Sequence, residues 1–223
     1  MQKMTANALD LFGLGNIIIK GAIFDLDGVL VDTAKYHYLA WKRLAKELGF
    51  DFTEIDNERL KGVSRLRSLE ILLETGGISM NAAQKEEAAA RKNAWYVDYL
   101  HALDETALLP GAGDYLSRLR KNGIRIALGS ASKNAPLILD RLNIAVFFDA
   151  VIDGNSVSRA KPDPEVFLKG AAALGLAAEQ CVVFEDARAG IEAAKAGGMR
   201  AIAIGKAEFL PGAERYISSL ADL

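Results

Sequence analysis

An apolar run, Ile17-Ile18-Ile19-Lys20-Gly21-Ala22-Ile23-Phe24, ends abruptly at Asp25-Leu26-Asp27-Gly28. Two carboxylates one residue apart, directly after a β-rich stretch, belong at the carboxyl end of a strand, where open α/β sheets collect their chemistry. Side chains alternate along a strand, so Asp25 and Asp27 share a face if extended geometry continues through them. Gly28 permits a sharp turn immediately afterwards. The pattern predicts two acids at the lip of a cleft, one suited to nucleophilic attack and one to proton transfer.

The rest of the chain supplies the sheet. Apolar, β-branched runs predict strands at about 17–25, 124–130, 149–152, 181–185 and 200–204. Helical patterns separate the later ones, at about 112–121, 133–142, 164–174 and 187–196. Such alternation implies βαβ units and a parallel sheet, an α/β fold. Asp163 before Pro164 predicts a helix start, with Asp163 as cap and Pro164 at the first helical position. Gly197-Gly198 predicts a helix stop.

Between the first strand and Pro110 the pattern is helical throughout, at about 33–48, 54–60, 64–74 and 81–103. His37, Trp41, Leu44 and Leu48 fall on one face of the first of these. An inserted helical block can close over the carboxyl edge of the sheet as a cap, excluding water. The expected organisation is a short N-terminal extension at 1–15, a core from 16–33 and 108–223, and a cap domain at 34–107.

The carboxyl ends of the predicted strands gather reactive groups. The first carries Asp25 and Asp27; the second leads into Ser130-Ala131-Ser132-Lys133-Asn134. A loop after the third holds Lys161-Pro162, and the fourth ends at Glu185-Asp186. Carboxylates suit a hard cation such as Mg²⁺. Backbone N–H groups at a helix start bind phosphate oxygens. A lysine offsets charge that builds up in a transition state. The set predicts magnesium-dependent phosphoryl transfer.

In order and spacing these four motifs resemble those of the haloacid dehalogenase-like (HAD) phosphotransferases, over about residues 20–205. The resemblance implies a Rossmann-like parallel-sheet core, the HAD fold, with an inserted helical cap domain. It implies that Asp25 is the nucleophile and Asp27 the general acid/base. Asp25, the Asp27 backbone carbonyl, Glu185 and Asp186 would hold Mg²⁺, and Ser130, Ala131 and Lys161 would bind the transferring phosphate.

The cap motifs narrow this. Asp32-Thr33-Ala34, Tyr36-His37, Ala40-Trp41, Leu60-Lys61-Gly62-Val63-Ser64-Arg65 and Arg91-Lys92-Asn93 resemble the hexose-phosphate isomerising branch of that family, as does Ser130–Asn134. In that branch β-glucose 1-phosphate and glucose 6-phosphate interconvert through β-glucose 1,6-bisphosphate. Such a reaction needs a second phosphate site, for which Arg65 offers a bidentate fork and Ser132, Lys133 and Asn134 add donors. Thr33, His37, Trp41, Lys61, Gly62, Val63, Ser64 and Lys92 would contact the sugar or shape the cap. Two positions depart from the pattern: Arg67 stands where an acid is expected, and Ala187 where a serine is common.

Other readings remain open at the level of sequence. Arg65 could pair with Glu70 or Glu74 on its own helix, His37 and Trp41 could be cap core, and Lys92 could lie on a solvated face. A sugar-phosphate phosphatase or a non-catalytic sugar-phosphate sensor would use the same core. Lys161–Pro162 is open between cis and trans.

The composition excludes several classes. Lys+Arg 27 against Asp+Glu 29 leaves a net charge of −2, with no nucleic-acid footprint. No apolar segment approaches ~18 residues, so no membrane span is expected. Residues 1–15 lack the pattern of a signal peptide. The single cysteine, Cys181, is expected as a buried thiol in a reducing, cytoplasmic setting. The expected partner is a small-molecule sugar phosphate, and the chain is expected to be a monomer.

Overall fold

A computed structural model describes residues 10–15, 17–60 and 63–223. Among them six strands form one parallel sheet: β1 (Gly21–Phe24), β2 (Arg125–Gly129), β3 (Ala150–Ile152), β4 (Cys181–Glu185), β5 (Arg200–Ile204) and β6 (Arg215–Ile217). The spatial order is β3-β2-β1-β4-β5-β6. The chain winds outward from β1 in one direction and from β4 in the other, so the crevice at the carboxyl ends of this pair is the topological switch point. Register sets Phe24 between Leu128 and Phe184. Asp25 therefore emerges beside the ends of β2 and β4.

Both faces of the sheet are covered, as continuous apolar strands require. In β1, Ala22 and Phe24 pack on one face and Ile23 on the other; in β4, Val182 and Phe184 oppose Cys181 and Val183. Helices α5 (Ala112–Lys121) and α6 (Ala135–Arg141) cover the first face, while α7 (Glu165–Ala173) and α8 (Arg188–Ala196) cover the second. Phe24 and Phe184 stack at 4.5 Å between ring centroids. Cys181 is buried as expected.

Between β1 and β2 lie α1 (Ala34–Glu47), α2 (Glu54–Glu58), α3 (Arg65–Gly76) and α4 (Ala82–Leu100). They enclose a hydrophobic cluster of their own around Trp41, Leu44, Phe52, Leu69 and Leu72. Local signals delimit them: Thr53 and Asn81 form capping boxes with Asp56 and Gln84, and Gly77 ends α3 in the left-handed region. The chain leaves the core and returns to it side by side, with Val31 bridged to Leu108. A helical cap is thus inserted into a parallel-sheet core. No helix among the described residues is long and apolar enough to cross a membrane.

Three expectations need correction. The first strand begins at Gly21, because β2 and β4 start opposite it and offer no backbone partners to Ile17–Ile19; Ile18 is 76% exposed. The sixth strand escaped the sequence pattern because its three residues at the sheet edge are too few to show a period. Pro164 is the N-cap of α7 rather than its first residue, and Asp163 instead accepts the Glu165 N–H at 3.0 Å.

Candidate active site

The two acids that end β1 lie on a loop. The Asp25 N–H donates to the Phe184 carbonyl at 3.0 Å, the last hydrogen bond in register with the sheet. Leu30 N–H then donates to Leu26 O at 2.9 Å and Gly28 N–H to Val31 O at 2.8 Å, closing a tight loop. Gly28 has φ +79°, and a Cβ there would strike the Asp186 carboxylate. Extended geometry therefore does not continue through Asp27, and the loop, not the pleat, brings both acids to the cleft. They line a cavity of about 1410 Å³ shared by the cap and the carboxyl edge of the sheet.

Asp25 sits in a buried charge cluster. Lys161 Nζ donates to Asp25 Oδ1 and to Glu185 Oε1, each at 2.5 Å. Burial works against the lysine's charge, but Asp25 and Glu185 outweigh it and raise its pKa above the ordinary value. Burial also raises the Glu185 carboxyl, with Lys161 pulling the other way and Asp25 adding to the rise. Asp25, Glu185 and Asp186 each offer an oxygen, all within 4.8 Å of one another. Three hard donors at that spacing fit a divalent cation such as Mg²⁺.

Asp27 points its carboxylate elsewhere, accepting a hydrogen bond from the Thr33 hydroxyl. Burial and then the Asp25 charge push it up to about 7, against the opposing pull of Thr33, Lys161 and Lys92. A carboxyl with a pKa near neutrality can both give and take a proton.

The cap wall is built by α1 and α4. His37 and Trp41 are one turn apart on α1, as are Lys92 and Tyr96 on α4. Lys92 Nζ and His37 Nδ1 share a hydrogen bond at 2.9 Å, and Lys92 Nζ lies over the rings of Trp41 (4.4 Å) and Tyr96 (4.7 Å). His37 stacks on Tyr96 at 4.0 Å. Burial, then the charges of Lys92 and Arg65, hold His37 well below its usual range; burial and Arg65 do the same to Lys92.

Past β2, Ser132 N–H donates to Ser130 Oγ at 3.1 Å and Asn134 N–H to Ser132 Oγ at 3.2 Å. Lys133 and Ala131 line the same cavity, and Arg65, Ser64 and Val63 face it from the cap.

The haloacid dehalogenase-like hydrolase family matches residues 19–198. The chain belongs to that family. A beta-phosphoglucomutase of Bacillus subtilis is 44% identical over 207 residues, 92% of each chain. A Thermotoga maritima phosphorylated carbohydrates phosphatase is 32% identical over 188 residues, 82% of this chain and 84% of that one. Among solved structures, a beta-phosphoglucomutase from Clostridium difficile has a TM-score of 0.88 at 40% identity, covering 92% of this chain and 93% of that chain.

The four strand-end motifs of this haloacid dehalogenase-like chain meet at one edge: Asp25, Asp27, Ser130, Lys161 and Asp186 line the cavity, with Glu185 fully buried behind them. Thr33, His37, Trp41, Lys92, Ser132 and Asn134 line it too. Lys61 and Gly62 lie outside the described residues. Arg65 does not pair with Glu70 or Glu74; Arg67 does, at 3.2 and 3.0 Å, which gives the departure at that position a surface ion-pair role. At Ala187 the backbone N–H donates to Glu185 Oε2 at 2.8 Å. The Lys161–Pro162 peptide is cis. Tyr96, which packs against Lys92 and His37, was not singled out from sequence. The signal for Tyr96 was its spacing of four from Lys92, which stacks both on one helix face.

Proposed function

We propose that this enzyme is a β-phosphoglucomutase, interconverting β-glucose 1-phosphate and glucose 6-phosphate through β-glucose 1,6-bisphosphate. One observation carries the reading: a single cavity offers two sets of oxyanion donors. Ser130, Ala131 and Lys161, beside the Asp25 nucleophile, form one; Arg65, Ser132, Lys133 and Asn134 form the other. A bisphosphate needs both, whereas hydrolysis of a monophosphate needs only the first. Residues 16–33 and 108–223 act as the core and 34–107 as the cap. The enzyme works in the cytoplasm.

Asp25 attacks a phosphorus of the bisphosphate, and the bond from that phosphorus to the sugar oxygen breaks. Asp27 gives its proton to the departing oxygen, leaving phospho-Asp25 and a hexose monophosphate. In the return transfer Asp27 takes the proton of the acceptor hydroxyl, which attacks phospho-Asp25 and frees its carboxylate. Lys161 stabilises the phosphoryl oxygens as charge shifts among them. Arg65, with Ser132, Lys133 and Asn134, grips the phosphate that is not being transferred. His37, Trp41 and Lys92 hold the sugar, and the cap excludes water from the phosphoenzyme. Asp25, the Asp27 carbonyl, Glu185 and Asp186 would hold Mg²⁺, which would supply neutralising charge for phosphoryl oxygens.

The Thermotoga maritima relative supports a second reading, a sugar-phosphate phosphatase. A coupled assay separates the two. β-Glucose 1-phosphate with a trace of bisphosphate and Mg²⁺ gives glucose 6-phosphate with little free phosphate if the enzyme is a mutase. Stoichiometric phosphate without glucose 6-phosphate defeats that reading, and tight binding without turnover makes the protein a sensor.

A further inference from the structure

Asn93 belongs to the cap but makes its side-chain contact with the core. On α4 it follows Lys92, which is buried against Trp41 and Tyr96 within the cap. Asn93 Oδ1 instead accepts a hydrogen bond from Asn134 Nδ2 at 2.9 Å, across 41 residues of sequence. Both asparagines line the cavity. Asn134 is itself the last rung of a ladder: its backbone N–H rests on Ser132 Oγ, and the Ser132 N–H rests on Ser130 Oγ. A continuous run of hydrogen bonds thus reaches from the end of β2 to the cap helix that carries Lys92.

A carboxamide nitrogen has two hydrogens. The one committed to Asn93 fixes the amide plane, and the other remains for an acceptor in the cavity. An untethered asparagine would have to be ordered at the moment a ligand arrives, which weakens binding.

We propose that Asn93 is a positioning residue for the second phosphate, holding the Asn134 carboxamide from the cap so that the phosphate meets an oriented donor only when cap and core are docked. This rests on the mutase reading, in which Asn134 binds that phosphate.

The test follows glucose 6-phosphate formation by the full-length enzyme with Mg²⁺, across a range of β-glucose 1,6-bisphosphate concentrations. Asn93→Ala raises KM for the bisphosphate about tenfold while kcat stays within about twofold, the signature of lost ground-state binding. Asn134→Ala raises KM at least as much. The double variant is no worse than Asn134→Ala alone, because Asn93 acts through Asn134. Alanine is a good helix former, so α4 persists, which unchanged thermal melting checks. Losses that add in the double variant, or an unchanged KM in Asn93→Ala beside a raised one in Asn134→Ala, overturn the proposal and leave the mutase reading standing. An unchanged KM in Asn134→Ala removes the second phosphate from that residue and overturns the proposal, whereas only a parent enzyme that forms no glucose 6-phosphate overturns the mutase reading.

Discussion

Lys161 Nζ lies 2.5 Å from Glu185 Oε1, and both side chains are almost wholly buried. The same ammonium lies 2.5 Å from Asp25 Oδ1, so one lysine compensates two interior carboxylates. Removing it leaves two like charges facing each other out of water. Lys161→Ala should cost about 3–5 kcal/mol of stability in metal-free protein, the penalty for breaking a buried pair. Activity should fall about 10²–10³-fold through loss of an oxyanion donor. Chemical denaturation and the coupled assay measure the two effects.

Metal binding should act on that same cluster. Chelation is expected to abolish turnover and added Mg²⁺ to restore it. Because the cation binds folded protein, Mg²⁺ should also raise the melting temperature. Asp186→Asn should weaken both effects together. A Tm insensitive to Mg²⁺ would argue against a site at Asp25, Glu185 and Asp186.

Asp27 should trade stability for function. Its folded pKa is about 7 against an ordinary 3.8, so between those values the folded state holds a proton that the unfolded state has lost. Stability therefore falls as pH rises through that window. Asp27→Asn removes the effect. Without metal, the variant should melt higher than the parent at pH 8 and at the same temperature near pH 4. Its mutase activity should drop about 10²–10⁴-fold, the range for losing a general acid/base.

Lys92 carries the opposite sign. Burial and Arg65 depress its pKa, so below the ordinary 10.5 the unfolded chain binds more protons than the folded one. This contribution makes stability rise with pH across the window between the folded and unfolded values. Lys92→Met keeps the aliphatic stem and should raise Tm at pH 7, with the gain shrinking toward pH 10. Sugar binding should weaken, seen as a raised KM for β-glucose 1-phosphate.

Arg65 has no carboxylate within salt-bridge distance among the described residues, unlike Arg67 two positions later. Its guanidinium is thus free to serve a ligand. Arg65→Ala should lower the rate of glucose 6-phosphate formation at limiting bisphosphate about 10–100-fold, the worth of a charge-assisted pair. The ratio of free phosphate to glucose 6-phosphate should rise, because phospho-Asp25 would wait longer for its sugar.

The sequence by itself determined the class of fold and the identity of the reactive groups. Apolar runs at 124–130, 181–185 and 200–204 correspond to β2, β4 and β5, because a strand buried on both faces must be apolar throughout. Asp25 and Asp186 were legible because each sits just past a strand end beside a turn or helix start, and Lys161 because Pro162 and Asp163-Pro164 mark the loop before α7. The four cap helices were legible from their periodicity. Edges were not: Ile17–Ile19 look like strand but have no neighbours to pair with, and Arg215–Ile217 pair only because β5 lies alongside.

Only the tertiary structure decided how those groups meet. The loop at Leu26–Val31 replaces the pleat in bringing Asp25 and Asp27 to the cleft, and it hands Asp27 to Thr33. Lys161 is separated from Asp25 by 136 residues and from Glu185 by 24, yet touches both. Asn93 meets Asn134 only because the cap folds back over the sheet. The charge states follow from the same cause: the rise of Asp27 and the depression of Lys92 and His37 come chiefly from burial, a property of the packed molecule that no local run of residues carries.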